Sequence, residues 1–566
     1  MKVSDYIVSY LVNKGITDVF GYPGGMVTHL MDSFEKSKIN MHLNYHEQAS
    51  SFSACGYAQC SDKPGIAYAT SGPGATNLIT GICNTYFDSV PTIFITGQVN
   101  TFEMKDNLKI RQLGFQETDI VTMVKNTTKY AVCIKNSNDI KYYLDKAFYI
   151  SMNGRKGPVL LDIPMDIQRS DIVPSELRGF EIPCKVDKNV DELKKNIYAN
   201  LKKAKRPCIL IGNGIKQNNL ENIINEICGD LKIPVVSSML GFDIIKNEKY
   251  NYGFIGAYGH RSANFIISKC DLLITLGTRL DIRQVGANRK NFAINAQIIR
   301  VEIDSNECEN KINKESVFEL EIYNALMAIK EICNKLPENN YKQWLEVCNE
   351  IKCTLKDKDI MDYNLYIERI SHLINDGAII TTDVGQNQVW VAQSFKVKSK
   401  QKVLFSGGHG AMGYSLPAAI GAYYATNKNV ICFCGDGGFQ MNIQELQVIA
   451  RDKLPIKIVV VNNNSLGMIR HFQEMYFDRR YTQTVNDNGY TVPDFCAIAA
   501  AYKIKNRKIM SINDIDSIDF NDGIPELIEI IFNDDTYVYP KLRYGNPNSD
   551  QEPLLDRELY NYLMKL

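Results

Sequence analysis

The chain has 566 residues, 45% hydrophobic and 23% charged, the composition of an ordinary folded protein with room for roughly two to four domains. Lys+Arg and Asp+Glu both number 64, so the formal net charge is zero. That excludes the basic surplus of a general nucleic-acid or membrane-surface binder, and no apolar run approaches the ~18 residues of a membrane span.

The opening stretch, MKVSDYIVSYLVNKG, has an amphipathic helical pattern with no signal-peptide cleavage region. The 15 cysteines include no Cys-x-x-Cys pair and suit a reducing compartment, so a cytoplasmic protein is expected. Residues 1–170 alternate short apolar runs (66–69, 92–96, 159–163) with helical patterns and read as one α/β domain. A polar stretch, 169–195, reads as a linker. A second block, 190–340, contains PCILIGNGI, DLLITLGTRLD and AQIIRVEID, and ends before a Lys/Asn/Glu-rich segment around 335–360. A third block covers 360–540, and a tail, 541–566, reads as extended and then helical. Such alternation predicts an α/β fold of three doubly wound parallel sheets with right-handed crossovers. Two similar blocks flanking a third suit an ancient duplication.

The most informative run is GDGGFQMNIQELQVIARDKLPIKIVVVNNNSLGM, 435–468. An apolar run, 430–434, breaks at Gly-Asp-Gly; a helical pattern over 442–451 follows; a second apolar run, 456–461, stops at Asn-Asn-Asn. This βαβ pattern places both polar clusters at the carboxyl ends of parallel strands, where open α/β sheets bind ligands. A carboxylate, a carboxamide and close-approach glycines suit a hard cation holding a diphosphate. Either cluster alone reads equally well as a helix cap or an Asn-rich turn.

The pair resembles the cofactor motif of thiamine-diphosphate (ThDP) enzymes. The resemblance implies that Asp436, Asn463 and the Ser465 carbonyl hold Mg²⁺, with Gly437, Gly438, Gly467 and Met468 beside the cofactor. GYPGGMVTHLMDSF (21–34), His46-Glu47-Gln48, TSGPGATN (70–77), DSVPTIFITGQV (88–99) and GFQETDIV (114–121) are similar, in order and spacing, to acetolactate synthases. So are TTDVGQNQVWVAQ (381–393) and SGGHGAMGYSLPAAIG (406–421). Glu47 then becomes the glutamate that activates the aminopyrimidine, with Phe115 and Gln116 on the reaction side. Gly385, Gln386 and Asn387 would meet the diphosphate, Gly410 would accept from the 4′-amino group, and Met412 would bend the cofactor. In this family the cofactor lies between the first domain of one chain and the third of another, which implies a homodimer or homotetramer.

IGNGI alone is a weak dinucleotide signal. By the same resemblance Gly212, Gly214, Gly256, Gly277, Arg279 and Asp304 would contact a structural FAD, although Asn213, Tyr258 and Ile282 depart from the commoner Gly, His and Asp. The implied reaction decarboxylates pyruvate and transfers its two-carbon unit to a carbonyl acceptor. Met165, Arg283 and Phe472 fall at substrate positions, and Arg470 and His471 are further candidates that suit the surface equally well. Met165 replaces the family's usual Lys and Phe472 its usual Trp, which leaves two acceptors open. One is a 2-keto acid; the other is a CDP-linked 4-keto-3,6-dideoxyhexose, as in the yersiniose-type branch. A pyruvate decarboxylase or oxidase would use the same Glu47 and Asp436, and a non-catalytic cofactor-binding protein would have no need of Glu47.

Overall fold

The computed structural model describes residues 1–183, 189–336, 341–356, 358–533 and 535–566. Part of the expected linker, 184–188, and residues 337–340 and 357 of the polar segment lie outside them. Three six-stranded parallel sheets form the framework, each covered by helices. The first contains β1 (Asp18–Gly21), β2 (Asn40–Leu43), β3 (Gly65–Ala69), β4 (Thr92–Gln98), β5 (Tyr130–Cys133) and β6 (Pro158–Pro164), in the order β2-β1-β3-β4-β6-β5. The second contains β7 (Pro207–Ile211), β8 (Val235–Ser237), β9 (Asn251–Phe254), β10 (Leu272–Leu276), β11 (Gln297–Glu302) and β12 (Glu315–Glu319), in the order β12-β11-β10-β7-β8-β9. The third contains β13 (Ile379–Thr382), β14 (Lys402–Leu404), β15 (Val430–Gly435), β16 (Ile456–Asn462), β17 (Lys505–Ile509) and β18 (Glu526–Ile531), in the order β14-β13-β15-β16-β18-β17. The first and third sheets therefore share one strand order. Their central strands are mostly apolar and buried along almost their whole length because helices cover both faces.

The chain forms two compact units. One joins the first and third sheets (Met1–Cys184, Gly377–Gln388, Val403–Thr536); the other holds the second sheet with Val389–Lys402 and the tail from Tyr537. In the second unit the polar segment contributes a helix, Lys342–Leu355, whose buried Trp344 and Cys348 pack with Ile266 and Cys270. Its Trp344 indole donates to the Pro207 carbonyl at 3.0 Å. The tail bonds to the loop after β9 through Leu542 N–H and the Ala257 carbonyl (2.7 Å), and ends in a helix, Arg557–Lys565, anchored by buried Leu563. No helix among the described residues is long and apolar enough to cross a membrane.

In the first unit the helices Glu47–Cys60 and Ser415–Thr426 cross at van der Waals contact. Neither carries the one-sided apolar stripe of a surface helix: ten successive residues of the first and eight of the second are buried. Small side chains make the approach possible. A Cβ on Gly56 would overlap the Ala418 carbonyl, and one on Gly421 would overlap the Ser53 carbonyl. Ser53 Oγ donates to the Pro417 carbonyl at 2.9 Å and Gln59 to the Tyr414 hydroxyl at 2.9 Å, which satisfies the polar groups that the crossing buries. Gly56→Ala is expected to lower the unfolding free energy of this unit by about 2 kcal/mol or more, since backbone on the opposite helix has to move. A urea melt checks it, and a midpoint equal to the wild type would contradict the crossing.

Candidate functional site

The carboxyl ends of β13, β15 and β16 converge on one group of polar residues. The strands of the βαβ unit lie as expected, but an unexpected helix, Asp436–Met441, begins directly after β15. It is followed by a 3₁₀ turn, Ile443–Glu445, and the helix Leu446–Asp452, so the segment expected as 442–451 is divided. Two glycines in a first helical turn conceal that start from propensity, and tertiary packing overrides it. A Cβ on Gly438 would overlap the Asp383 carboxylate, and one on Gly437 would reach Leu466 at 2.7 Å and Met412 Cε at 3.2 Å.

Asp436 is buried. Its Oδ1 accepts from the Gly437 N–H (2.7 Å) and the Tyr490 hydroxyl (3.0 Å), and its Oδ2 from the Ser465 N–H (3.2 Å). Burial pushes its carboxyl up to about 6 against the pull of these donors. Asn463 donates to Gln386 Oε1 at 3.0 Å and to Thr536 Oγ1 at 2.6 Å. Both amide hydrogens are thereby used, which leaves Oδ1, the atom a hard cation takes. The Ser465 carbonyl accepts from the Gly467 N–H at 2.8 Å and keeps a second lone pair.

Around this group the chain leaves a cradle. Cβ atoms on Gly385 and Gly435 would each point at Asn387 Nδ2, at 3.3 and 3.2 Å. Asn387 Oδ1 is buried without a hydrogen-bond partner among the described residues. Gly467 lies so close to Gln386 and Asn463 that a side chain there would collide with both, and Met468 follows it in the helix Gly467–Tyr476. Bare backbone and an Asp/Asn pair fit a metal-bound diphosphate, and the orphaned Asn387 oxygen, an acceptor, fits a cation or a donor group of the ligand rather than a phosphate oxygen.

Gly410, in a left-handed conformation (φ +69°), and Met412 lie in the loop before the helix Ser415–Thr426. Two carboxylates tie that loop down. Asp88 accepts from the Gly407 and Gly408 N–H groups (2.9 and 2.6 Å), and Asp383 from those of Gly413 and Tyr414 (3.0 and 3.1 Å). Burial pushes Asp383 up to about 7.

Glu47 begins the helix Glu47–Cys60, which His46 caps by accepting from the Gln48 N–H at 3.1 Å. Its Oε2 accepts from Asn77 Nδ2 at 2.9 Å, and its Oε1 lies 3.3 Å from where Gly74 would carry a Cβ. Gln116 is left-handed (φ +66°) and abuts Gly72, so Glu47, the glycine loop and Gln116 share one region. Phe115 is 79% exposed. Met165 is half-buried at the start of the helix Met165–Arg169. Phe472 lies exposed on the helix Gly467–Tyr476, its ring centroid 4.8 Å from that of Tyr476. Arg470 and His471 are not surface residues: both are buried, and Arg470 binds the Thr536 carbonyl and pairs with Glu474 at 3.8 Å.

The flavin candidates belong to the second unit. The loops after β7 and β10 flank the position where its strand order reverses, the usual ligand crevice. Gly212, Gly214 and Gly277 pack backbone to backbone there, with the Gly214 N–H donating to the Gly277 carbonyl at 3.0 Å, and Gly256 abuts the Arg283 carbonyl. These glycines therefore answer to the chain's own packing. Asp304 caps a short helix by accepting from the Asn306 N–H at 3.0 Å, and the Arg279 carbonyl accepts from Arg300 at 3.3 Å. Arg283 is exposed, with its guanidinium 5.8 Å from the Tyr258 ring centroid.

Asp88, Asp383, Glu445, Tyr490, Thr536 and Asn77 were not legible as site residues, since each acts through a fold-dependent hydrogen bond. Asn77, Asp88, Asp383 and Glu445 lie inside the motifs at 70–77, 88–99, 381–393 and 435–468, whereas Tyr490 and Thr536 lie outside every one of them.

Residues 1–123, 195–327 and 383–529 match the family models of the thiamine pyrophosphate enzyme N-terminal TPP binding domain, central domain and C-terminal TPP binding domain. The chain is 34% identical over 555 residues to the acetolactate synthase large subunit of Lactococcus lactis subsp. lactis (strain IL1403), covering 96% of this chain and 94% of that protein. It is 35% identical over 572 residues to the acetolactate synthase large subunit of Cyanidium caldarium (96% and 95% covered). It is 33% identical over 568 residues to the acetolactate synthase isozyme 2 large subunit of Escherichia coli (strain K12) (97% and 99% covered).

Asp162, Asp383 and Glu445 are buried acids that burial pushes up to about 7. Unfolded, they titrate near 3.8 for Asp and 4.5 for Glu. Between those limits the folded state binds more protons, so stability falls as pH rises from about 4 to about 7. His29 and His409, both lowered by burial, act in the opposite direction but are much less enclosed. The cofactor-free protein is expected to show a higher thermal midpoint for the unit of the first and third sheets at pH ~5.5 than at pH ~7.5. Calorimetry checks this, and a midpoint that rises over the same interval would contradict it.

Proposed function

Because the chain belongs to the thiamine pyrophosphate enzyme family along its N-terminal, central and C-terminal domains, we infer that the group at the ends of β13, β15 and β16 is its cofactor site. The protein is a ThDP-dependent carboligase of the acetolactate synthase kind. The observation that carries the site is the Asp436/Asn463 pair beside the Gly385–Asn387 cradle with its orphaned acceptor.

In this reading Asp436, Asn463 Oδ1 and the Ser465 carbonyl hold Mg²⁺. Gly385, Gln386, Asn387, Gly437, Gly438, Gly467 and Met468 enclose the diphosphate. The Gly410 carbonyl accepts from the 4′-amino group, and Met412 supports the rings. Bound thiamine diphosphate supplies the nucleophilic carbon and the electron sink for decarboxylation and carbon–carbon bond formation. The chain's own part is orientation and proton transfer. Glu47 exchanges a proton at the pyrimidine nitrogen through a carboxylate that Asn77 orients, and Phe115 and Gln116 line the reacting side. Pyruvate is the donor and a 2-keto acid the acceptor, with Met165, Arg283 and Phe472 toward the acceptor. The pyrimidine side corresponds to 1–170, the central domain to 190–340, the diphosphate side to 360–540 and the tail to 541–566.

Three finer features complete the proposal. A structural FAD in the central domain is supported by the switch-point loops after β7 and β10, not by the glycines themselves. A homodimer or homotetramer is supported by exposed Phe102, Leu108 and Phe115 on one loop and by Ile469, Phe472 and Phe477 on the helix Gly467–Tyr476 and just beyond it. The location is cytoplasmic, with small-molecule substrates and neither nucleic acid nor membrane as partner.

Purified protein given pyruvate, ThDP and Mg²⁺ is expected to release CO₂ and form a carboligation product identifiable by mass, with a visible flavin band in the same preparation. Glu47→Gln should lower turnover by about a hundredfold or more while still binding ThDP. Acetaldehyde or acetate as sole product, a product formed only with a keto-sugar, or full turnover in Glu47→Gln would overturn the respective assignments. Mixing separately inactive Glu47→Gln and Asp436→Asn chains, with subunit exchange, should restore activity if two chains share each site; no recovery on exchange would place each site within one chain.

A further inference from the structure

The stretch 43–46 carries the chain from β2 into the helix that Glu47 begins, and residues of the third sheet's domain hold it almost atom by atom. The Leu43 carbonyl accepts from both terminal nitrogens of Arg451 at 3.3 Å. Asn44 Nδ2 donates to Glu445 Oε2 at 2.9 Å, and the Tyr45 N–H to Glu445 Oε1 at 2.8 Å. The His46 N–H also bonds to the Glu445 carboxylate. One residue beyond Glu47, Gln48 Oε1 accepts from Asn442 Nδ2 at 3.2 Å.

Glu445 is fully buried, and the described hydrogen bonds of its carboxylate all run to the three residues before Glu47. A buried carboxylate is a costly way to join two domains, because apolar contact does the same without the desolvation penalty. An acceptor-only group with two oxygens does something apolar contact does not: it fixes the direction of successive backbone N–H groups and so the entry angle of the next helix. The second turn of the site's own βαβ connection thus reaches back to the catalytic glutamate.

We propose that Glu445 is a positioning residue for Glu47, holding 44–46 so that the Glu47 carboxyl points where the pyrimidine nitrogen is to be met. The proposal rests on the ThDP reading for the role of Glu47 but not for the geometry of the clamp. Misplacement of a reacting group by about 1 Å can cost on the order of a hundredfold, so a loosened loop should slow proton transfer more than binding.

The test is Glu445→Gln, which keeps size and one oxygen but turns an NH₂ toward a backbone donor. In the cofactor-free protein, hydrogen exchange at the Tyr45 and His46 amides should quicken by about tenfold or more. In the ThDP-loaded protein, proton exchange at the reactive C2 carbon and kcat should both fall by about tenfold, with ThDP affinity and the KM for pyruvate changed by less than about threefold. Asn44→Ser, which leaves Glu445 intact, should act in the same direction and less strongly; if Glu445→Gln fails to fold, this variant carries the test. Unchanged amide exchange overturns the clamp. Faster amide exchange with unchanged C2 exchange overturns the positioning role. If the wild type and Glu47→Gln exchange the C2 proton at the same rate, the role of Glu47 fails instead, and the amide result stands apart from it.

Discussion

Buried carboxylates that accept backbone N–H groups from distant loops are the constraint on which the site depends. Asp88 of the first sheet's domain grips Gly407 and Gly408 of the third; Glu445 of the third grips Tyr45 and His46 of the first; Asp383 ties Gly413 and Tyr414 within the third. Each loop so held carries or adjoins a residue assigned to the cofactor. The holding is reciprocal, so neither domain's half of the site has its shape by itself. Raised carboxyl groups at Asp383 and Glu445 show what burial costs, and the donors around them are the compensation.

The fold was readable because parallel sheets covered on both faces leave continuous apolar runs, and those runs located β4, β6, β15 and β16. Asp436, Asn463 and the 385–387 cluster stood out because polar residues and glycines end the apolar runs of β13, β15 and β16. The helix starting at Asp436 was not, since Gly437 and Gly438 argue against it locally while Asp383, Leu466 and Met412 fill the space around it. Glu445 and Tyr45 are 400 positions apart, and no local pattern marks a glutamate in a 3₁₀ turn as the anchor of a loop that far away. Arg470 misled for the opposite reason: a cation on a helix suggests solvent, whereas here it supports the Thr536 carbonyl from inside.

The first and third sheets share one strand order, while the second has another, and this sorts the chain's chemistry. The two sheets nevertheless use non-equivalent strand ends: Glu47 follows the second strand of one, and Asp436 follows the third strand of the other. In the proposed reading, one repeated architecture supplies unlike halves of a reaction centre, Glu47 for proton transfer and the Asp436/Asn463 group for a metal-bound diphosphate. In the middle sheet, glycines of the kind found in dinucleotide motifs are spent on packing against their own neighbours. A glycine signature there is therefore weaker evidence of a ligand than an orphaned acceptor such as Asn387 Oδ1.

The crossing of the helices Glu47–Cys60 and Ser415–Thr426 bears on motion. With Gly56 against the Ala418 carbonyl and Gly421 against that of Ser53, the two surfaces interlock like gear teeth and have no low-energy sliding coordinate. Hinge or shear displacement of one domain over the other is closed to this pair. Any rearrangement of this unit then falls to its exposed loops, such as the one that carries Phe102 and Phe115, rather than to sliding of these two helices.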